Sequence, residues 1–481
     1  MNRFINKLKN EMLKKETNAS TAKIAIWYVI GNFFAKGMAM ISTPIFTRLM
    51  SKSEYGQFSN FTSWESIITI LVTLDFSSSI ARAKYDFDER MNEYISSILI
   101  FSNFVTLCAY FFVEFNQSFF ETLFSMDILY IRMLFVYLLF MPAFSYLQLK
   151  HRIYKKYKFF VAFSISSAII RTAVSVLLVL VLDDKLFGRI CGYLIPITLF
   201  NIVLWVIVIV EGRKVSWSCI KYACKISVPL IPHGLSGIVL GSSDRIMITY
   251  YCGSVVTAVY SVAYSVSLMA TLLWTSMNQA WTPWLYDNMN ARNEKVILKN
   301  SKIYLGTFSI LVIGVLLISP EIILVLGGEQ YYAARYAMPP IILGCAFQFI
   351  YGMYVNIEIF AKRTVTISIG TMAAAALNLI LNALFVPKYG YIAAAYTTMI
   401  GYFALLVFHY CIVKTRLKEY SGIYDERFIF LMMFLIIAFS GISLILYQHN
   451  ITRYLLILMY AIIMIVGVYK CKEVIKRILA R

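Results

Sequence analysis

The chain has 481 residues, 60% of them hydrophobic and only 14% charged, with a mean hydropathy of +0.72. No soluble core of this size needs so much apolar sequence, so a soluble fold is excluded and an all-α integral membrane protein is expected. The net charge of +19 is spread over loops, which argues against nucleic acid as a partner.

In chain order, residues 1–20 carry five Lys or Arg, and Phe4, Ile5, Leu8 and Met12 share one helical face, so a cytoplasmic amphipathic segment lying on the membrane is expected. Apolar runs of about 20 residues, each enough for one crossing, then recur. They predict fourteen transmembrane helices near 21–48, 57–81, 94–113, 128–149, 159–182, 190–210, 226–250, 255–284, 303–326, 331–360, 364–386, 391–413, 428–447 and 454–470.

The loops between them alternate in charge. The N-terminal segment, the loops after even-numbered helices and the C-terminal tail hold 32 Lys and Arg, whereas the loops after odd-numbered helices hold 7. The positive-inside rule therefore places both termini in the cytoplasm. The cysteines imply no disulfide framework. No CxxC, HExxH, P-loop or G-x-S-x-G motif is present, and no metal or cofactor site is expected. The longest outer loop, 114–126, leaves no room for a soluble catalytic domain.

A shift of 197 residues lays Asn32–Gly56 over Pro229–Gly253, matching Gly37 with Gly234, Ile41 with Ile238, Arg48 with Arg245, Met50 with Met247 and Gly56 with Gly253. A shift of six helices preserves membrane orientation, which predicts a parallel duplication. The expected organisation is an N-lobe over 21–213, a C-lobe over 214–415, and two further helices with a cytoplasmic tail over 416–481.

ALNLILNALFVPKYGYIAAAYTTMIGY, from Ala376, resembles the N-x-x-L-N-x-x-x-I-P-x-x-G-x-x-G-A-A signature of polysaccharide and oligosaccharide-lipid flippases of the multidrug/oligosaccharidyl-lipid/polysaccharide exporter superfamily. Asn378, Asn382, Pro387, Gly390 and Ala394-Ala395 match, and Ala393 replaces the usual glycine. SVPLIPHGLSGIVLGSSDR, AVYSVAYS and SKSEYGQFS resemble other parts of the same family. The resemblance implies two six-helix lobes in a V, with helices 1, 2, 7 and 8 lining a cavity that opens alternately to each side. It implies a cargo of undecaprenyl-diphosphate-linked oligosaccharide, moved from the inner to the outer leaflet of a bacterial cytoplasmic membrane. Membrane lipids, a polysaccharide polymerase and assembly proteins are the implied partners.

Such a cargo requires cations for its phosphates within the bilayer. In helix 1, Asn32, Lys36, Met40, Pro44 and Arg48 recur every fourth residue; in helix 7, Pro229, His233, Gly237, Gly241 and Arg245 do the same. Lys36, Arg48, His233 and Arg245 are the candidate substrate-binding residues. Snorkelling by the arginines, or packing by His233, is the competing reading. Glu65 and Asp244 are candidates for ion coupling, against static pairing, for Glu65 with Lys36. Arg171 extends the basic cavity or pairs within its lobe. Glu358 and Lys362 are expected to satisfy each other, Trp274, Trp281 and Trp284 to form an interfacial belt, and Gly237 and Gly241 a packing face. Asn378 and Asn382 are expected to hydrogen-bond across helices of the C-lobe. Competing functions are an ion-coupled multidrug antiporter, a peptidoglycan-precursor flippase and a membrane polymerase or glycosyltransferase.

Overall fold

A computed structural model describes residues 37–38, 40–154 and 158–479, with side chains to residue 465. The predicted N-terminal amphipathic segment and Lys36 lie outside the described residues. Every regular element among the described residues is helical, and eleven helices are long and apolar enough to cross a membrane. The protein is therefore a multi-pass membrane protein. One of the eleven, Thr364–Arg416, is two helices joined at Gly390, whose φ of 62° and ψ of −148° are open to glycine. That break separates predicted helices 11 and 12.

Three helices expected to be continuous are interrupted. Predicted helix 2 becomes Lys52–Val72 and Ser77–Asp86, because Leu74 and Asp75 adopt left-handed φ values of 50° and 47°. Ser78 donates to the Asp75 carboxylate at 2.5 Å and closes the turn. Predicted helix 7 becomes Trp217–Ser227 and Ile231–Cys252 around a short 3-10 turn at Val228–Leu230. Pro229 lies in that turn and Pro232 in the first turn of the following helix, where a missing N–H costs nothing. The start of predicted helix 10 is likewise a 3-10 segment, Glu329–Ala337, ahead of Met338–Phe360.

By packing, the chain divides into two compact units: residues up to Ser261 together with Ser368–Ala394, and Val262–Ile367 together with Ala395 onward. These units are drawn by contacts. The division into duplicated lobes at 213 and 415 is a proposal about the ancestry of the chain.

Among the described residues of the first unit, two apolar cores form. One gathers Phe76, Ile80, Tyr94, Leu99, Tyr146 and Leu204; the other gathers Phe58, Phe61, Ile131, Leu134, Ile190 and Leu194. Lys52–Val72 starts with a capping box, Ser51 accepting from the Glu54 N–H while its own N–H donates to the Glu54 carboxylate at 2.7 Å. This helix packs along Ile231–Cys252, and a Cβ on Gly56 would lie 1.8 Å from the Ser254 carbonyl oxygen. Of the expected packing face at Gly237 and Gly241, the Gly237 position shows no close approach among the described residues: nothing there lies within 4 Å of an added Cβ. Close approach falls instead at Gly234, where a Cβ would meet Ile70 at 2.6 Å, one helical turn away on a neighbouring face.

In the second unit, Trp281 stacks on Tyr304, Tyr304 neighbours Phe349, and Phe349 stacks on Phe308, with centroid separations of 4.4, 4.7 and 3.9 Å. Trp281 is buried in this column and Trp274 lies against Gly352, so these tryptophans serve helix packing rather than an interfacial belt. Predicted helices 13 and 14 are pinned down. The Arg453 guanidinium, 1% exposed, pairs with both carboxylate oxygens of Glu321, and Tyr447 donates to the Leu316 carbonyl at 2.8 Å.

Candidate functional site

Asp244 sits in the middle of Ile231–Cys252 and is 2% exposed. A buried carboxylate needs partners, and they come from two other stretches of the first unit. Tyr260 donates to one oxygen, and Asn382 donates to the other at 2.8 Å. Asn382 also donates to the Asn378 side-chain oxygen at 3.3 Å, which accepts from Ser243 at 3.2 Å. The asparagines, one turn apart, thus hydrogen-bond across helices within 214–415 as expected, and one of their partners is the carboxylate of Asp244. The carboxylate thus takes one hydrogen bond from a phenol and one from an amide. Among the described residues, no cluster of three or more His, Cys, Asp or Glu side chains gathers as a multidentate metal site.

The neighbouring Arg245 turns away from Asp244. Its Nε donates to Ser63 on Lys52–Val72 at 2.8 Å, and Nη2 donates to the Gly241 carbonyl at 3.1 Å. Arg48, exposed at the end of the 40–49 helix, donates to the Pro44 carbonyl one turn back at 2.7 Å. His233, half-buried at the start of Ile231–Cys252, has its Nδ1 buried without a hydrogen-bond partner, and the Asp75 carboxylate is its electrostatic neighbour. The broken end of predicted helix 2 and the proline-marked start of helix 7 therefore meet.

Glu65 heads a separate cluster. Its carboxylate accepts from Tyr193 at 2.9 Å and from Tyr137, with Arg171 as its nearby charge. The Arg171 guanidinium lies 3.7 Å from the centre of the Tyr193 ring, and its Nε donates to the Tyr193 carbonyl at 2.8 Å. Arg171 thus pairs within its own bundle. The expected pairing of Glu65 with Lys36 falls outside the described residues.

The expected Glu358–Lys362 pair is corrected. Helix Met338–Phe360 ends before Lys362, whose φ is 60°, so the i,i+4 geometry is lost. Glu358 points inward to His409 at 2.6 Å, both side chains being fully buried, and Thr366 donates to its second oxygen. The sequence signal for this pair was weak: two residues 51 apart, each alone in an apolar run.

A family model described as polysaccharide biosynthesis protein matches residues 21–289, a stretch that includes Lys36, Arg48, Glu65, His233, Asp244 and Arg245. No curated protein matches the sequence. Among solved structures, the fold is similar to an inward closed conformation of the lipid II flippase MurJ, with a TM-score of 0.68 and 16% identity over 94% of this chain and 100% of that one. It is also similar to an inward-facing multidrug resistance MATE family transporter of the MOP superfamily, with a TM-score of 0.56 and 12% identity over 86% of this chain and 98% of that one. A mutant form of the MATE transporter VcmN of Vibrio cholerae gives a TM-score of 0.52 and 10% identity over 85% and 98% of the two chains. At such identities the likeness is one of fold.

Proposed function

The chain belongs to the polysaccharide biosynthesis protein family, and on that premise we propose that it is a transporter that flips a lipid-linked oligosaccharide across a bacterial cytoplasmic membrane. The cargo is an undecaprenyl-diphosphate-linked repeat unit destined for a surface polysaccharide. Movement is by alternating access, with both termini in the cytoplasm. The observation that carries the reading is the family match over residues 21–289, and the likeness of the fold to MurJ and MATE transporters supports it. Membrane lipids surround the protein, and a polymerase with its assembly proteins receives the product.

Within this reading Lys36, Arg48, His233 and Arg245 meet the cargo, and Asp244 and Glu65 couple its movement to an ion. A diphosphate leaving water must keep charge-assisted partners, and loss of a desolvated one costs about 2–5 kcal/mol. The test is restoration of surface polysaccharide in a strain lacking the gene, at matched protein level. Wild type restores it, Lys36→Glu abolishes it, and Lys36→Arg retains much of it. Full restoration by the alanine variants of Lys36, Arg48 and Arg245 sinks the basic path while leaving the transporter.

A second reading is favoured by the similarity of this fold to MurJ: the cargo is a peptidoglycan precursor, which shares the polyprenyl diphosphate. Loss of surface polysaccharide with intact cell-wall synthesis in the deletion strain decides for the first reading.

A further inference from the structure

Arg189 reads from the sequence as an outer-loop residue between predicted helices 5 and 6. The structure instead places it in the second turn of Lys185–Gly212, turned inward and 9% exposed. Its guanidinium carbon lies 3.4 Å from the centre of the Phe46 ring and 4.4 Å from that of Phe58. Lys185 donates to the Leu49 carbonyl at 2.9 Å and so fixes the start of this helix to the end of the 40–49 helix, which carries Phe46 and Arg48.

Aromatic faces balance part of the charge of a guanidinium but accept none of its in-plane N–H bonds. The Arg189 Nε is buried and has no acceptor, and no hydrogen bond or ion pair engages this side chain among the described residues. Phe58 meets Tyr193 edge-on at 5.4 Å, and Tyr193 carries Arg171 over its ring and Glu65 on its hydroxyl. That carboxylate is already held by two tyrosines and faces Arg171, which leaves Arg189 against aromatic faces. A buried cation with unsatisfied donors is costly unless an anion completes it.

We propose that Arg189 is a phosphoryl-anion-binding residue, adding a contact for a diphosphate beside the helix that bears Arg48. A guanidinium presents paired N–H donors that match two oxygens of one phosphoryl group, which an ammonium does not. In naming the cargo diphosphate as the source, the inference rests on the function proposed above. The phosphate of a membrane phospholipid has the same chemistry.

The experiment measures binding by the purified full-length protein in detergent, for wild type, Arg189→Lys and Arg189→Met, with farnesyl diphosphate, phosphatidylglycerol and, as an uncharged control, farnesol. Arg189→Met is expected to weaken farnesyl diphosphate binding about thirtyfold or more, Arg189→Lys several-fold, and neither to change farnesol binding. If the methionine variant fails to fold, the lysine variant decides, at an unliganded melting temperature matched to wild type. Loss confined to phosphatidylglycerol keeps the phosphoryl site and assigns it to a lipid headgroup. Unchanged binding of both anions by the folded variants, or no binding of either by wild type, overturns the proposal. Because no transport is measured, failure of wild type to restore surface polysaccharide would sink the flippase reading independently of this result.

Discussion

Asn382 donates a 2.8 Å hydrogen bond to Asp244, joining a signature asparagine to a carboxylate 138 residues earlier in the chain. The pair turns an apparently architectural motif into the support of a buried charge. Such support matters because the membrane interior offers little water to replace it.

The first prediction separates support from coupling at this pair. Asn382→Ala removes one donor and is expected to lower stability by roughly 1–2 kcal/mol, read as the melting temperature of purified protein. Asp244→Asn keeps a hydrogen-bonding group of the same shape, so it is expected to fold but to lose ion-dependent transport. Normal ion dependence in Asp244→Asn removes this residue from coupling.

Glu65 offers an independent test, since its partners Tyr193 and Tyr137 belong to a different cluster. Glu65→Gln is expected to reach the membrane in normal amount and to weaken ion-dependent transport, with Tyr193→Phe causing a milder defect of the same kind. Full transport with unchanged ion dependence in Glu65→Gln would leave the cluster a purely static one.

Two glycines give opposite expectations. Gly56→Ala places a methyl 1.8 Å from the Ser254 carbonyl oxygen, so the two segments must separate and the variant should melt lower and restore less polysaccharide. Gly237→Ala meets no described atom within 4 Å and sits within a helix, where alanine is favoured over glycine by about 1 kcal/mol. Its melting temperature should equal or exceed that of wild type. Equal effects of the two substitutions contradict the packing described.

Topology is predicted from the loop charges. Reporters fused after Lys15, Arg152 and Lys476 should read cytoplasm, and one at Ser125, past the short Gln117–Phe124 helix, should read outside. A cytoplasmic reading at Ser125 overturns the orientation.

The sequence by itself determined that this is a multi-pass helical membrane protein, because apolar runs near the thickness of a bilayer are a local property of the chain. It also identified the family, through motifs such as Asn378, Asn382, Pro387 and Gly390. The break at Gly390 was legible in the same way, because it falls between predicted helices 11 and 12, whereas helix 7 was expected to run unbroken through Val228–Leu230. Partners were another matter. Lys362 is near Glu358 in sequence, yet the helix ends between them and the buried acid meets His409; Arg189 reads as a loop residue, yet it stacks on Phe46. In a bundle whose surface is almost uniformly apolar, hydrophobic periodicity does not mark which face of a helix turns inward. That choice is decided by tertiary packing, where small residues allow close approach and the few polar groups find one another.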